Sequence, residues 1–235
     1  MPEQLDFEAP GNFSYALRRR SYDRQIILML SDQRYLHWAF NALLNLEELE
    51  LHHHLLIGSS ASVCSDYMLG LPHVARGCGT SSYLRRSASN EVNRSLGRWK
   101  IHDEHPYHLW WQRWRYIERA VALGYAVLSI DTDISLRHDP FPVLRGPLHH
   151  HKLVVSVESE QAARFNRFRF PVINAGFVYC QGRAGGAAHW AVAEVVRRIE
   201  KLLHSPPPAF CFKREEPEQP LQFCLVANAS CSTNP

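Results

Sequence analysis

The chain has 235 residues, 46% hydrophobic and 21% charged, which excludes disordered, collagen-like and low-complexity classes. Its 26 basic and 23 acidic residues leave a net charge of +3, too small to imply a nucleic-acid partner. No apolar run approaches the roughly 18 residues of a membrane span, and the start of the chain lacks the apolar core of a signal peptide, so a soluble chain with no membrane span is expected.

Residues 1–20 read as a polar lead-in, with Arg18, Arg19 and Arg20 as a solvated flank. Gln25 to Leu30 is a short apolar run ending at Ser31-Asp32, a buried strand followed by a helix N-cap. Leu36, Phe40, Leu43 and Leu44 then keep the spacing of one helix face. A second run, His54 to Ile57, ends at Gly58-Ser59-Ser60. Strand, helix, strand in this order is a βαβ unit, and such units make parallel sheets. Residues 58–106 show no strong periodicity, and Gly77-Cys78-Gly79 reads as a loop. Trp110, Trp114, Ile117 and Val121 mark a helix that Gly124 is placed to stop. Tyr125 to Ile130 predicts a strand ending in Asp131-Thr132-Asp133, and Leu153 to Val157 another ending at Glu158. Val172-Ile173 and Phe177-Val178-Tyr179 flank Asn174-Ala175-Gly176. Val192, Val195, Val196, Ile199, Leu202 and Leu203 make an amphipathic helix that Pro206-Pro207-Pro208 ends. The alternation predicts one α/β domain over 21–226 with a mixed, mostly parallel sheet flanked by helices, and a tail over 227–235.

The strongest chemical signal is Asp131-Thr132-Asp133 at the end of a buried strand. Open α/β sheets bind ligands at the carboxyl ends of their strands. Two acids there repel each other unless a cation or a proton resolves the conflict. Mn²⁺ or Mg²⁺ held by Asp131 and Asp133 would do so, and a diphosphate could then join the metal. The alternative is that both acids cap the next turn.

Trp114 to Pro142, with Leu123-Gly124-Tyr125, Asp131-Thr132-Asp133 and Asp139-Pro140, resembles the nucleotide-diphospho-sugar transferase domain of plant and algal glycosyltransferases. That group contains the arabinosyl- and xylosyltransferases of extensins and pectin. Asn174-Ala175-Gly176-Phe177-Val178-Tyr179 matches a second family element, and Glu218-Gln219 stands where a third places Asp-Gln. The resemblance implies a GT-A fold and a metal-dependent, retaining hexosyl- or pentosyltransferase. It implies a UDP-sugar donor, a glycan or glycoprotein acceptor, Mn²⁺ or Mg²⁺, and a Golgi, cell-wall-related setting. On this reading Asp131 and Asp133 hold the metal. Thr132, Gly176 and an arginine of the preceding helix, Arg113 or Arg115, bind the nucleotide-sugar. Glu158 and Asn174 serve the reacting sugar.

Other features weigh less. His102, His105 and His108 are interrupted by Pro106, and the triplets at 52–54 and 149–151 cannot converge on one ion, so both triplets read as surface. Trp110 and Trp114 read as core, whereas Tyr107 and Trp111 fall off the apolar face and are better placed to stack on sugars. None of the six cysteines forms Cys-x-x-Cys. Free thiols are the plainer reading; in an oxidising compartment Cys64 and Cys78 could close one disulfide and the last three cysteines supply another. Two other functions stand beside the transferase. One is a degenerate relative that binds a nucleotide-sugar without turnover. The other is a haloacid-dehalogenase-type phosphatase with Asp131 as nucleophile, which is disfavoured because a βαβ unit precedes the motif and no Asp follows Asp139.

Overall fold

The computed structural model describes residues 5–74, 77–81, 107–157, 173–204, 211–213 and 222–224. Seven strands form one sheet in the order β1-β4-β3-β2-β5-β7-β6. These are β1 (Leu5–Asp6), β2 (Gln25–Ser31), β3 (His54–Gly58), β4 (Cys78–Thr80), β5 (Ala126–Ile130), β6 (Leu153–Val157) and β7 (Ile173–Cys180). The first five of that order are mutually parallel, and β7 runs antiparallel between β5 and β6. The mixed, mostly parallel α/β sheet is therefore as the sequence predicts. Although β5 and β6 follow one another in the chain, they are not neighbours in the sheet, because β7 lies between them.

The alternation of side chains along β2 builds two cores. Ile26, Leu28 and Leu30 face a layer formed by α1 (Asn12–Arg20), α4 (Tyr107–Ala122) and α6 (Ala187–His204), with Phe13, Leu17, Tyr116, Ile117, Val121 and Val192 buried there. Ile27 and Met29 face α2 (Leu36–Glu48), α3 (Ala61–Gly70) and α5 (Phe141–Arg145) through Leu36, Leu43, Leu46, Tyr67 and Phe141. All seven residues of β2 are buried, as befits a strand covered on both faces. A small separate ladder pairs β8 (Cys211–Lys213) with β9 (Gln222–Cys224).

Residues 5–20 are not a polar lead-in. They supply edge strand β1 and helix α1, and Phe7, Phe13 and Leu17 are fully in the core. Glu8 anchors this segment. Its carboxylate accepts from Tyr116 Oη at 2.7 Å, Arg115 Nη2 at 2.9 Å and Arg119 Nη1 at 3.1 Å. Burial alone would raise the Glu8 pKa, but hydrogen bonds from Arg115 and Tyr116 and the two guanidinium charges outweigh it and hold the carboxyl below its ordinary value.

Gly77-Cys78-Gly79 is not a simple loop either: Cys78–Thr80 forms β4. A Cβ at Gly79 would sit 2.1 Å from Phe7 Cζ, so glycine is what lets that ring pack on the strand. Cys64 and Cys78 form a disulfide, and Cys180 is a buried free thiol. On α2 the buried face turns towards Ala39, Ala42 and Leu46, leaving Leu44 44% exposed. The first histidine triplet also departs from expectation: His54 is fully buried at the start of β3 and His53 is 9% exposed. The triplet at 149–151 is exposed as expected. Gly124, at φ 82°, ends α4 as the spacing predicts, with Tyr125 N–H returning to Ala120 O at 3.0 Å. No helix among the described residues is long and apolar enough to cross a membrane.

Candidate active site

The parallel strands deliver their carboxyl ends to one edge of the sheet. Ser31-Asp32 leaves β2, Gly58-Ser59-Ser60 leaves β3 and Asp131-Thr132-Asp133 leaves β5. The antiparallel β7 begins at this same edge, so Asn174 arrives there from the other direction.

Asp131 opens a tight turn in which Ile134 N–H donates to Asp131 O at 3.2 Å. The turn buries Thr132 and exposes Asp133. Beyond it, Asn45 of α2 clasps the chain with both halves of its amide. Its Nδ2 donates to Leu136 O at 2.9 Å, and its Oδ1 accepts from Leu136 N–H at 2.7 Å.

The Asn174-Ala175-Gly176 segment is a bulge inside β7 rather than a turn between two strands. Val155 pairs with Val178 whereas Ser156 pairs with Asn174, so the residues between have no counterpart on β6. The Asn174 side chain closes the bulge, its Oδ1 accepting from Gly176 N–H at 2.6 Å. Gly176 O in turn accepts from Asp131 N–H at 2.8 Å. A Cβ at Gly176 would lie 2.8 Å from Asn174 Oδ1 and 3.0 Å from Asp131 Oδ2, so the close approach requires glycine.

Arg113 ties these pieces together. Its side chain is 4% exposed; Nη2 donates to Asp131 Oδ1 and Nη1 to Ala175 O. Arg115 takes no part. Two residues on along α4 it points away from Arg113, pairing with Glu8 at 2.9 Å and Glu200 at 3.6 Å. Of the two arginines, Arg113 is the one that touches the Asp131 turn. The repulsion expected between Asp131 and Asp133 is also partly answered, because a buried guanidinium already balances Asp131.

No cluster of three or more His, Cys, Asp or Glu side chains exists among the described residues. A pair of carboxylates at a strand end, one of them exposed, nevertheless suits Mg²⁺ or Mn²⁺, which bind through one or two carboxylates and complete their shell with phosphates and water. The residues present fit such an ion through Asp131 Oδ2 and Asp133.

From the sequence, Asp32 is expected to act as a helix cap. It does cap, accepting from Arg34 N–H at 2.9 Å and Tyr35 N–H at 3.1 Å through Oδ1. Its Oδ2 is buried with no hydrogen-bond partner in the structure, and the nearest cation, Arg34, is 3.9 Å away. An acid at the end of the strand next to β5 was the available signal, since parallel neighbours end at the same edge.

Trp114 packs against the core as expected, and Trp111 is half-buried. Glu158, Glu218-Gln219, His102, His105 and the side chains of Tyr107, His108 and Trp110 lie outside the described residues.

Residues 94–197 match the family model of nucleotide-diphospho-sugar transferases. They include α4, β5, α5, β6 and β7, and thus Arg113, the Asp131 turn and the β7 bulge. This matched stretch carries the motifs on which the sequence resemblance rests. No curated protein matches the chain in sequence. Solved structures with a related course include the galactosyltransferase LgtC in complex with donor and acceptor sugar analogs, at 14% identity over 77% of this chain and 67% of that one, TM-score 0.41. The bifunctional glycosyltransferase WbbM matches at 14% identity over 75% of this chain and 34% of its own, TM-score 0.46. Mouse xyloside xylosyltransferase 1 matches at 10% identity over 77% and 76%, TM-score 0.42.

Proposed function

We propose that this nucleotide-diphospho-sugar transferase domain moves a hexosyl or pentosyl group from a UDP-sugar to a glycan or glycoprotein acceptor, with retention of configuration. The observation that carries the reading is the convergence of Asp131, Arg113 and the Asn174–Gly176 bulge at one strand edge. Asp131 and Asp133 hold Mn²⁺ or Mg²⁺. The bound cation supplies charge stabilisation to the departing diphosphate. Arg113 fixes the Asp131 carboxylate and adds positive charge beside the same group. Thr132 and Gly176 line the nucleotide-sugar, Gly176 by letting the donor approach the backbone. Asn174 shapes the bulge and faces the sugar, and Glu158 serves the reacting centre. On this reading the protein works in the Golgi lumen on cell-wall glycans.

One observation favours a second reading. Arg113 balances Asp131 without any added cation, so the pair could persist as a structural element in a relative that binds nucleotide-sugar without turnover. The deciding experiment measures UDP release from a panel of UDP-sugars with and without Mn²⁺, in wild type and Asp133→Ala. The transferase reading expects Mn²⁺-dependent release that Asp133→Ala abolishes. Mn²⁺-dependent UDP binding without release supports the second reading, and absence of both binding and release overturns the two together.

A further inference from the structure

The chain that leaves β5 runs from Asp131 through Thr132-Asp133 to α5. Its start is well held. Asp131 is bonded to Arg113 and to Gly176 O, and Ile134 N–H turns back to Asp131 O. Beyond Ile134 the hold is slight: from Ser135 to Asp139 every residue except Leu136 is exposed. Asp133 is exposed too. Packing therefore does not place its carboxylate, and the backbone on either side of it must.

Leu136 is the fixed point downstream, and Asn45 makes it so. One side-chain amide meets both backbone groups of one residue, Nδ2 donating to Leu136 O at 2.9 Å and Oδ1 accepting from Leu136 N–H at 2.7 Å. This is the pairing that a neighbouring strand offers, supplied here by a helix. A primary amide carries the donor and the acceptor that it needs; a carboxylate would set a second acceptor against Leu136 O. Asn is a weak helix former, and this one bonds out of α2 to a residue 91 positions away. The helix itself is a firm base. Ala39, Ala42, Leu43 and Leu46 bury its other side against the sheet, and β2 beneath it is hydrogen-bonded to β5. Asn45 thus ties the chain after Asp133 to the same sheet that holds Asp131. We infer that Asn45 is a positioning residue of the proposed transfer site: by clasping Leu136 it fixes the backbone on the far side of Asp133, and so sets where that carboxylate meets a divalent cation and its diphosphate. The inference rests on the reading of Asp133 as a cation ligand. Groups that orient a metal ligand without touching the metal commonly govern about ten- to hundredfold of its affinity.

The test titrates Mn²⁺ and UDP into the full chain by isothermal calorimetry, for wild type, Asn45→Leu and Asn45→Ala. Both substitutions remove the clasp, favour the helix and add no charge. Each should raise the Mn²⁺ concentration that half-saturates UDP binding about tenfold, with a melting temperature within a few degrees of wild type. Hydrogen exchange should quicken over residues 132–136 and stay unchanged over α2. Asn41→Ala, an exposed change one turn earlier on α2, should leave the Mn²⁺ dependence as it is. Mn²⁺-dependent UDP binding in the wild type that is unaltered in both Asn45 variants overturns this inference alone and leaves the transfer site standing. A loss that comes with a melting temperature lower by roughly ten degrees or more, and with faster exchange throughout α2, makes Asn45 a structural residue and also overturns it. A wild type without Mn²⁺-dependent UDP binding overturns it together with the reading on which it rests.

Discussion

Arg113, inside the helix that precedes β5, donates through Nη2 to Oδ1 of Asp131, the first residue beyond that strand. The helix and the strand end it serves are joined by a connection at the far edge of the sheet, so only the packing of α4 on β5 brings the two together. The side chains differ in exposure, 4% for Arg113 and 34% for Asp131. That asymmetry sets the energetics of every change at this site.

Asp131→Ala should cost about 3 kcal/mol of stability, because it strands a buried guanidinium. Arg113→Ala should cost less, about 2 kcal/mol, since the carboxylate left behind is partly hydrated. Chemical denaturation of the two variants checks the order; equal costs would mean that the pair is not a buried one.

Asp133→Ala should leave stability within about 0.5 kcal/mol of wild type, as exposed turn residues do. It should nonetheless abolish Mn²⁺-dependent UDP binding. Thermal shift and isothermal titration calorimetry with Mn²⁺ and UDP read both halves. If Asp133→Ala binds like wild type, the carboxylate is a turn residue and not a ligand.

Gly176→Ala tests the bulge. Its new methyl group meets Asn174 Oδ1 at 2.8 Å and Asp131 Oδ2 at 3.0 Å, so both side chains must move. We expect UDP-sugar turnover to fall at least about tenfold, in line with misplacement of catalytic groups. The melting temperature should drop by only a few degrees, equivalent to about 1 kcal/mol. Ala175→Gly, beside it, should change turnover little.

The Glu8 cluster predicts an acid-sensitive clamp on the N-terminal segment. Its carboxyl pKa lies below the ordinary value of 4.5, so its stabilisation is complete above that pH and is lost as pH falls through the depressed folded value. Glu8→Gln should therefore cost about 2 kcal/mol near pH 7, and the gap between variant and wild type should narrow below pH 4.5. Denaturant melts across pH measure that gap. A constant gap would show that shape, not charge, is what Glu8 contributes.

Reduction of the Cys64–Cys78 disulfide, which closes a loop with a sequence separation of 14, should lower stability by about 3 kcal/mol. The double variant Cys64→Ala with Cys78→Ala should melt like the reduced wild type and no longer respond to reductant.

The sequence by itself determined the strands that are buried on both faces. Ile26 to Leu30 is apolar at every step and Val127 to Ile130 is broken only by Ser129, and a covered, mostly parallel sheet accommodates such runs. It also placed Asp131-Thr132-Asp133 at a strand end, because polarity changes abruptly after Ile130. Gly124 was legible as a helix stop for a local reason, the positive φ that glycine tolerates. What only the tertiary structure decided depended on contacts distant in sequence. Strands β1 and β4 are too short to carry a periodic signal, and they become visible when Phe7 seats on Gly79. The choice of Arg113 over Arg115 rests on which face of α4 meets β5, as α4's termini alone do not fix its rotation. The bulge in β7 arises from pairing with two neighbours in different registers, a constraint that no single strand contains. Local sequence sets the elements through backbone preference and burial, whereas the site exists where their ends meet, and those meetings are set by packing.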